Sequence, residues 1–306
     1  MNEDIAIHPG DPAPIVLHRT LGTNQRHATG PDESNASMLT HVAKKILDES
    51  GYSPKDIGRI ICVCDPPDNI APATAVKVQA NIGAICPAFD MSMSCSGWLT
   101  ALDLGLKCIA TGEDKILVLA SCFFGSRGPF RDVKHRAIFG DACGGLLLEQ
   151  RHLDMFLATG QWTDGRNFHH IFAPHKWSQT PDEVPEEFRG YGYMNPEQRV
   201  FFDALSDILP PFCDNLMERA GVKKEDIDLF LLHYPSKPLF EHSLKVFPVP
   251  RKKMLTHFNR FANTIAAEMP VLLDEAIRTD RISPGDLVFM VTYGAGFTMA
   301  GAILRY

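Results

Sequence analysis

Two hydrophobic periods divide the chain. Met38, Val42, Ile46 and Leu47 recur at helical spacing, which predicts an amphipathic helix over Ser37–Ser50, ended by Gly51. The unbroken apolar run Ile60–Cys64 predicts a buried strand, stopped by Asp65-Pro66-Pro67. A short helix over Thr74–Ile82 follows, then an apolar run with strand character from Ile85 to Met93. That run stops at the small, polar corner Ser94-Cys95-Ser96-Gly97. Leu99, Leu102, Leu106 and Ile109 then mark another helix, with Gly112 as its stop. Lys115–Cys122 reads as a buried strand, Phe123–Lys134 as a polar loop, and Ala137–Glu149 as a turn through Gly140-Asp141 into a further strand. Residues 1–35 are rich in Pro, Gly, Asn and Thr and read as loop and short strand.

The second half repeats this order. Phe201–Gly221 has a helical pattern, and Pro210-Pro211 predicts a kink or break in it. An offset of 170 residues carries Gly51 onto Gly221, Asp56 onto Asp226 and Ile57 onto Ile227. Both segments run through a strand into a proline turn. Asp286–Thr292 echoes the strand at Lys115–Cys122, and Gly294–Leu304 echoes the turn and strand at Gly140–Leu148. A period of half the chain signals a duplicated α/β unit and not a solenoid. The expected halves are residues 1–158 and 159–306, with buried parallel strands in layers and the active site where the halves meet.

Composition narrows the function classes. The 306 residues are 45% hydrophobic and 22% charged, with a net charge of −7, which argues against nonspecific nucleic-acid binding. No apolar run reaches the roughly 18 residues that span a bilayer. The start, MNEDIAIHPGDPAP, has neither the basic nor the apolar region of a signal peptide. The eight cysteines mostly lie inside apolar segments, the usage of reduced thiols in a cytoplasmic enzyme. Cys62-Val63-Cys64 and the histidines 169, 170 and 175 lack a second ligand pair at metal spacing, so neither a metal site nor a cofactor is expected.

Three polar residues carry the candidate chemistry. Cys95 falls on a strand-to-helix turn, where free backbone N–H groups and the helix dipole favour negative charge on sulfur. A small buried cysteine fits the same position. His233 ends the second-half strand Leu229–Leu232, either as a satisfied strand-end histidine or as a site residue. Asn263 precedes a helix with Leu272, Leu273, Ala276 and Ile277 on its apolar side, where an N-cap reading is also open. Together they form a Cys/His/Asn set suited to thiol chemistry on a thioester.

Several stretches resemble a β-ketoacyl-(acyl-carrier-protein) synthase III of the thiolase superfamily: HRTLGTNQRHATGPDES, CPAFDMSMSCSGW, IFGDACGG, DIDLFLLH, FANTIAAEMPVLLDEAI and GDLVFMVTYGAGFTMAGAIL. The resemblance implies a thiolase-like duplicated αβαβα layered fold. It implies Cys95 as the acylated nucleophile, with His233 and Asn263 donating to the thioester oxygen of a malonyl-type extender as CO2 leaves. The backbone N–H groups of Cys95 and Ala295 would form the oxyanion hole. Ala71 and Trp98 are expected at the acyl tunnel. A homodimer is implied, in which the loop after Pro66-Pro67 closes the neighbour's tunnel.

The departures are informative. HYPS (His233–Ser236) replaces the usual HQAN, Ala262 the usual Gly, and Glu268 a usual Ser. Ile15 and Val133 stand where relatives clamp the adenine of coenzyme A with Trp and Arg. The expected acyl donor is therefore an acyl carrier protein in preference to coenzyme A, docked on Lys237, Arg251, Lys252 and Lys253. These departures indicate a specialised paralogue, in fatty-acid-related or secondary-metabolite biosynthesis. Plain acyl transfer to an alcohol or amine, or a non-catalytic role in a heterodimeric synthase, are the alternatives.

Overall fold

The computed structural model describes residues 19–130, 133–175, 178–195 and 198–306. Strand β1 (Arg59–Asp65) lies parallel between β2 (Ala88–Asp90) and β3 (Ile116–Cys122), and β4 (Ala142–Leu148) runs antiparallel on β3. The second sheet has the order β5 (Phe156–Thr163), β10 (Thr298–Arg305), β9 (Leu287–Gly294), β8 (Leu229–Leu232). There β8 is parallel to β9, and β10 is antiparallel to β9, the same directions as β1, β3 and β4. A two-stranded pair, β6 (Ile171–Phe172) and β7 (Tyr193–Met194), stands apart. The expected buried parallel strands are present as β2-β1-β3 and β8-β9, and β4, β5 and β10 add antiparallel pairs. Only Ala295, Gly296 and Phe297 separate β9 from β10, too few for the crossover that a parallel pair requires. The expected division between residues 158 and 159 falls inside β5, which pairs with β10 of the second sheet.

Strand alternation builds the layers. Ile60, Cys62 and Cys64 of β1 pack with Leu39, Ala43 and Leu47 of α1 (Asn35–Ser50) and Val78 and Ile82 of α2 (Thr74–Ile82). Ile61 and Val63, the intervening residues, face Leu99, Leu102 and Ile109 of α3 (Gly97–Ala110). In the second sheet Leu229 and Leu231 share that central layer. Phe230 and Leu232 face outward onto Leu209, Cys213 and Leu216 of α4 (Gln198–Ala220). With α5 (Lys237–Val246) outside and α6 (Glu268–Arg278) beside α3, the order is α-β-α-β-α. Each fully buried aliphatic side chain contributes about 1.5–3 kcal/mol, so the central layer, buried from both sides, is the core that positions the site.

Two elements differ from expectation. Of the apolar run Ile85–Met93 only Ala88–Asp90 pairs as strand. The Asp90 carboxylate instead accepts from the N–H groups of Thr74 (2.6 Å) and Ala75 (2.8 Å), capping α2, whose own Ala73 cap has no side-chain acceptor. Helix α4 continues through Pro210 and Pro211 without a break. A proline inside a helix costs about 3 kcal/mol, and burial of Leu205, Leu209, Cys213, Leu216 and Met217 against the sheet outweighs it.

Candidate active site

The chain leaves β2 and enters α3 through a single 3-10 turn, Ser94–Ser96. Ser94 holds φ +45°, a left-handed conformation that side chains rarely adopt. Cys95 is thereby set two residues before Gly97, the buried start of α3. Gly97 presses that start onto β1, since a Cβ there would stand 2.5 Å from Val63 Cγ1. From the other sheet Gly294 does the same to Cys95: a Cβ on it would lie 2.9 Å from Cys95 Cβ and 3.2 Å from its backbone N. Thr298 Oγ1 ties the turn to β10, donating to Ser96 Oγ at 3.1 Å. The nucleophile candidate thus sits where the two halves touch.

His233 extends β8 by one bond, its N–H donating to Val291 O at 2.9 Å. Its Nδ1 hydrogen-bonds Glu268 Oε2 in a fully buried ion pair, and the imidazole lines the same cavity as Cys95. Burial alone would lower the histidine's pKa; the Glu268 carboxylate and then the Cys95 sulfur outweigh burial and raise it to about 10. Burial likewise pushes Glu268 up, but His233 and His257 hold its pKa below the ordinary value. Glu268 Oε1 also accepts from Tyr234 N–H (3.3 Å) and lies 3.6 Å from His257 Nε2. Asn263 is held on both backbone sides: its N–H donates to Ile138 O (2.9 Å) and its O accepts from Gly140 N–H (3.0 Å). Its Oδ1 accepts from Ile265 N–H at 2.8 Å, so Nδ2 is the half of the amide with protons left to donate. Ala262, just before it, holds φ +61° and ψ −159°, a region natural to glycine.

Cys95, His233, Asn263 and Ala295 all line one cavity of about 340 Å³. Its walls are mostly apolar and include the rings of Phe124, Phe130, Phe139, Phe201, Phe202 and Tyr293. An apolar chain with one polar, reactive end fits such a lining. Trp98, expected at the tunnel, does not line the cavity; it is fully buried between the sheets, its indole Nε1 donating to Val118 O at 3.3 Å. Ala71 is exposed and away from the cavity of its own chain. The basic residues part company. Lys237 is exposed at the cavity rim, between the lining residues Ser236 and Pro238, and pairs with Glu241 at 3.7 Å. Arg251 is exposed and sits over the Phe240 ring, and Lys252 is exposed beside it. Lys253 is spent on structure, its Nζ donating to the carbonyls of Glu225 (2.9 Å) and Ile227 (2.6 Å). Ile15 and the Val133 side chain lie outside the described residues. The residue missed from sequence as a site member is Glu268, along with the aromatic lining and Tyr293, whose ring is 5.5 Å from that of His233.

Two family models match the chain: 3-oxoacyl-(acyl-carrier-protein) synthase III over residues 89–165, and the C-terminal model of the same family over residues 217–306. The beta-ketoacyl-(acyl-carrier-protein) synthase III of Sphingopyxis alaskensis is 32% identical over 295 residues, covering 95% of this chain and 89% of its own. That of Erythrobacter litoralis is 30% identical over 311 residues, covering 100% and 94%. Among solved structures, the 3-oxoacyl-(acyl-carrier-protein) synthase III of Aquifex aeolicus superposes with a TM-score of 0.84 at 28% identity, covering 95% of this chain and 91% of that one.

Proposed function

Since the chain belongs to the 3-oxoacyl-(acyl-carrier-protein) synthase III family, we propose that it is an acyltransferase of the condensing kind. It loads an acyl group from a thioester onto Cys95 and condenses it with a malonyl-type thioester as CO2 leaves. The observation that carries this reading is the meeting of Cys95, His233, Asn263 and Ala295 at one cavity. Thiolate attack forms the acyl-enzyme. Decarboxylation then builds an enolate, and two fixed donors in a water-poor pocket stabilise the charge where it develops. The backbone N–H groups of Cys95 and Ala295 serve the tetrahedral oxyanion of the condensation step.

The donor is an acyl carrier protein in preference to coenzyme A. Lys237 at the cavity rim and Arg251, which lies over the Phe240 ring of the same helix α5 with exposed Lys252 next in sequence, give an acidic carrier a basic landing place on a chain whose net charge is −7. The product belongs to fatty-acid-related or secondary-metabolite biosynthesis. No helix among the described residues is long and apolar enough to cross a membrane. The eight free cysteines support a reducing, cytoplasmic setting. The working unit is a homodimer joined at the β2 edge.

Intact-mass measurement after incubation with a panel of acyl thioesters tests the loading step, and release of CO2 from a malonyl thioester tests the condensation. One acyl adduct is expected on the wild-type chain, faster from carrier-bound donors, and none on Cys95→Ser. An undiminished adduct on the serine variant overturns the assignment.

A further inference from the structure

Glu268 is a carboxylate with 0% of its surface exposed, on the side of α6 that packs into the central layer. All its polar partners belong to one cluster: Nδ1 of His233, the N–H of Tyr234, and Nε2 of His257. The titratable groups around His233 are Glu268 from α6, Cys95 from the turn before α3, Tyr293 from β9, and His257 across Glu268. Burial pushes the Tyr293 phenol up and the His257 imidazolium down, so both are neutral near neutral pH. Charge at the site is carried by the Glu268–His233 pair.

An ionised carboxylate only accepts hydrogen bonds, so the Nδ1 facing Glu268 carries a proton. That settles which nitrogen is left bare. A neutral His233 then carries its lone pair on Nε2, the nitrogen away from Glu268, at the cavity that Cys95 also lines, and only the imidazolium can donate from Nε2. We propose that Glu268 is a positioning residue that locks His233 as its Nδ1–H tautomer, making His233 the acid–base partner of Cys95 instead of a neutral hydrogen-bond donor. The proposal rests on Cys95 as the acylated nucleophile.

The proton count follows. The Cys95 thiol proton passes to Nε2, leaving thiolate and imidazolium. The thiolate adds to the acyl carbon, the bond from that carbon to the donor's sulfur breaks, and the imidazolium returns its proton to the departing sulfur. A neutral Nδ1–H imidazole then stands beside acyl-Cys95. It can take a proton from an incoming O–H, N–H or acidic C–H acceptor, so loss of CO2 is not the only route to a nucleophile at this site. To support decarboxylation His233 must first take up a proton at Nε2, after which it donates a charge-assisted bond.

Alkylation by iodoacetamide, read by mass spectrometry on the Cys95 peptide, tests this without any thioester, so its outcome is separate from that of the acylation reading. In the wild-type chain the rate at about pH 6 should stay within a few-fold of that at about pH 9, because His233, fixed with a bare Nε2, serves as the proton acceptor for Cys95. In Glu268→Gln, shown folded by its melting curve, the rate at about pH 6 should fall by about tenfold or more, while Glu268→Asp restores most of it. An unchanged ratio in Glu268→Gln overturns the proposal. Long-range ¹H–¹⁵N spectra of the histidine-labelled wild-type protein, with Cys95 alkylated, give a second reading that needs no variant at Glu268. The His233 signal, assigned by its loss in His233→Ala, should show the proton on Nδ1; a proton on Nε2 with bare Nδ1 overturns it equally.

Discussion

Cys95, His233 and Asn263 differ in what each can lose. Asn263→Ala removes a donor to developing charge but leaves the sulfur and its base, so it should still acylate while decarboxylation falls by about 10²–10³-fold. His233→Ala also removes the acid–base partner of Cys95, so both half-reactions should fall. Rapid-quench measurement of each half-reaction checks this; equal collapse of both in Asn263→Ala would reassign its role. The His233–Glu268 pair also makes stability depend on pH. The histidine's folded value, about 10, lies above its ordinary 6.5, so its contribution is complete below about 6.5 and is lost as pH rises through about 10. Glu268, held below its ordinary 4.5, contributes above that value and loses its contribution on acidification. Urea midpoints of wild type and Glu268→Gln should therefore converge between about pH 7 and pH 10. An unchanging gap would show that the pair does not titrate. The three polar candidates were legible because each interrupts or ends an apolar pattern. Glu268 carried the same kind of signal: it shares a helix face with Leu272 and Ala276, four and eight residues on, and all three are buried. A carboxylate on that face implies a buried partner, but its identity depends on the meeting of β8 with α6, which no local pattern encodes.

At the scale of elements, the strand-to-helix corner at Cys95 works because glycines let backbones approach. Gly294 admits Cys95 to the edge of β9, so a methyl group there must push the turn aside. Gly294→Ala should leave the chain folded at a cost of about 1–3 kcal/mol, yet slow acylation of Cys95 by about a hundredfold, the usual effect of a displacement near 1 Å at a reacting atom. Acylation at the wild-type rate would show that the turn tolerates the shift. The helix at Thr74–Ile82 and the strands around Ile61 and Val118 were legible from periodicity alone, because burial on one face or both writes directly into sequence. The length of β2 and the continuity of α4 were not. Asp90 ends β2 with its backbone paired to Cys62 and its carboxylate capping α2, and tertiary burial carries α4 past two prolines. Both outcomes are decided by neighbours remote in sequence.

For the whole molecule, the 170-residue echo foretold a duplicated α/β unit, and the two sheets repeat one set of strand directions around a shared central layer. What lies beyond one chain is written at its edge. β2, three residues long, has β1 on one side and no strand partner on the other among the described residues. Beside it stand the largest exposed apolar side chains of this region: Ile85 at 88% exposure, Ile70 at 64% and Val76 at 43%. Ala71 and Pro72 are exposed in the same stretch, where a neighbour's cavity could receive them. An unpaired strand edge flanked by apolar residues invites a second copy, since pairing satisfies its backbone groups and removes that surface from water. A homodimer of twice 33.9 kDa is therefore expected in light scattering at micromolar concentration. Ile85→Asp places a charge in the centre of the joint, where an unpaired buried carboxylate costs several kcal/mol. It should shift the protein toward monomer, weaken association by about a hundredfold or more, and reduce acyl loading in parallel if the neighbour's loop completes the tunnel. A wild-type monomer, or an Ile85→Asp dimer of undiminished affinity, would move the joint to another face of the molecule.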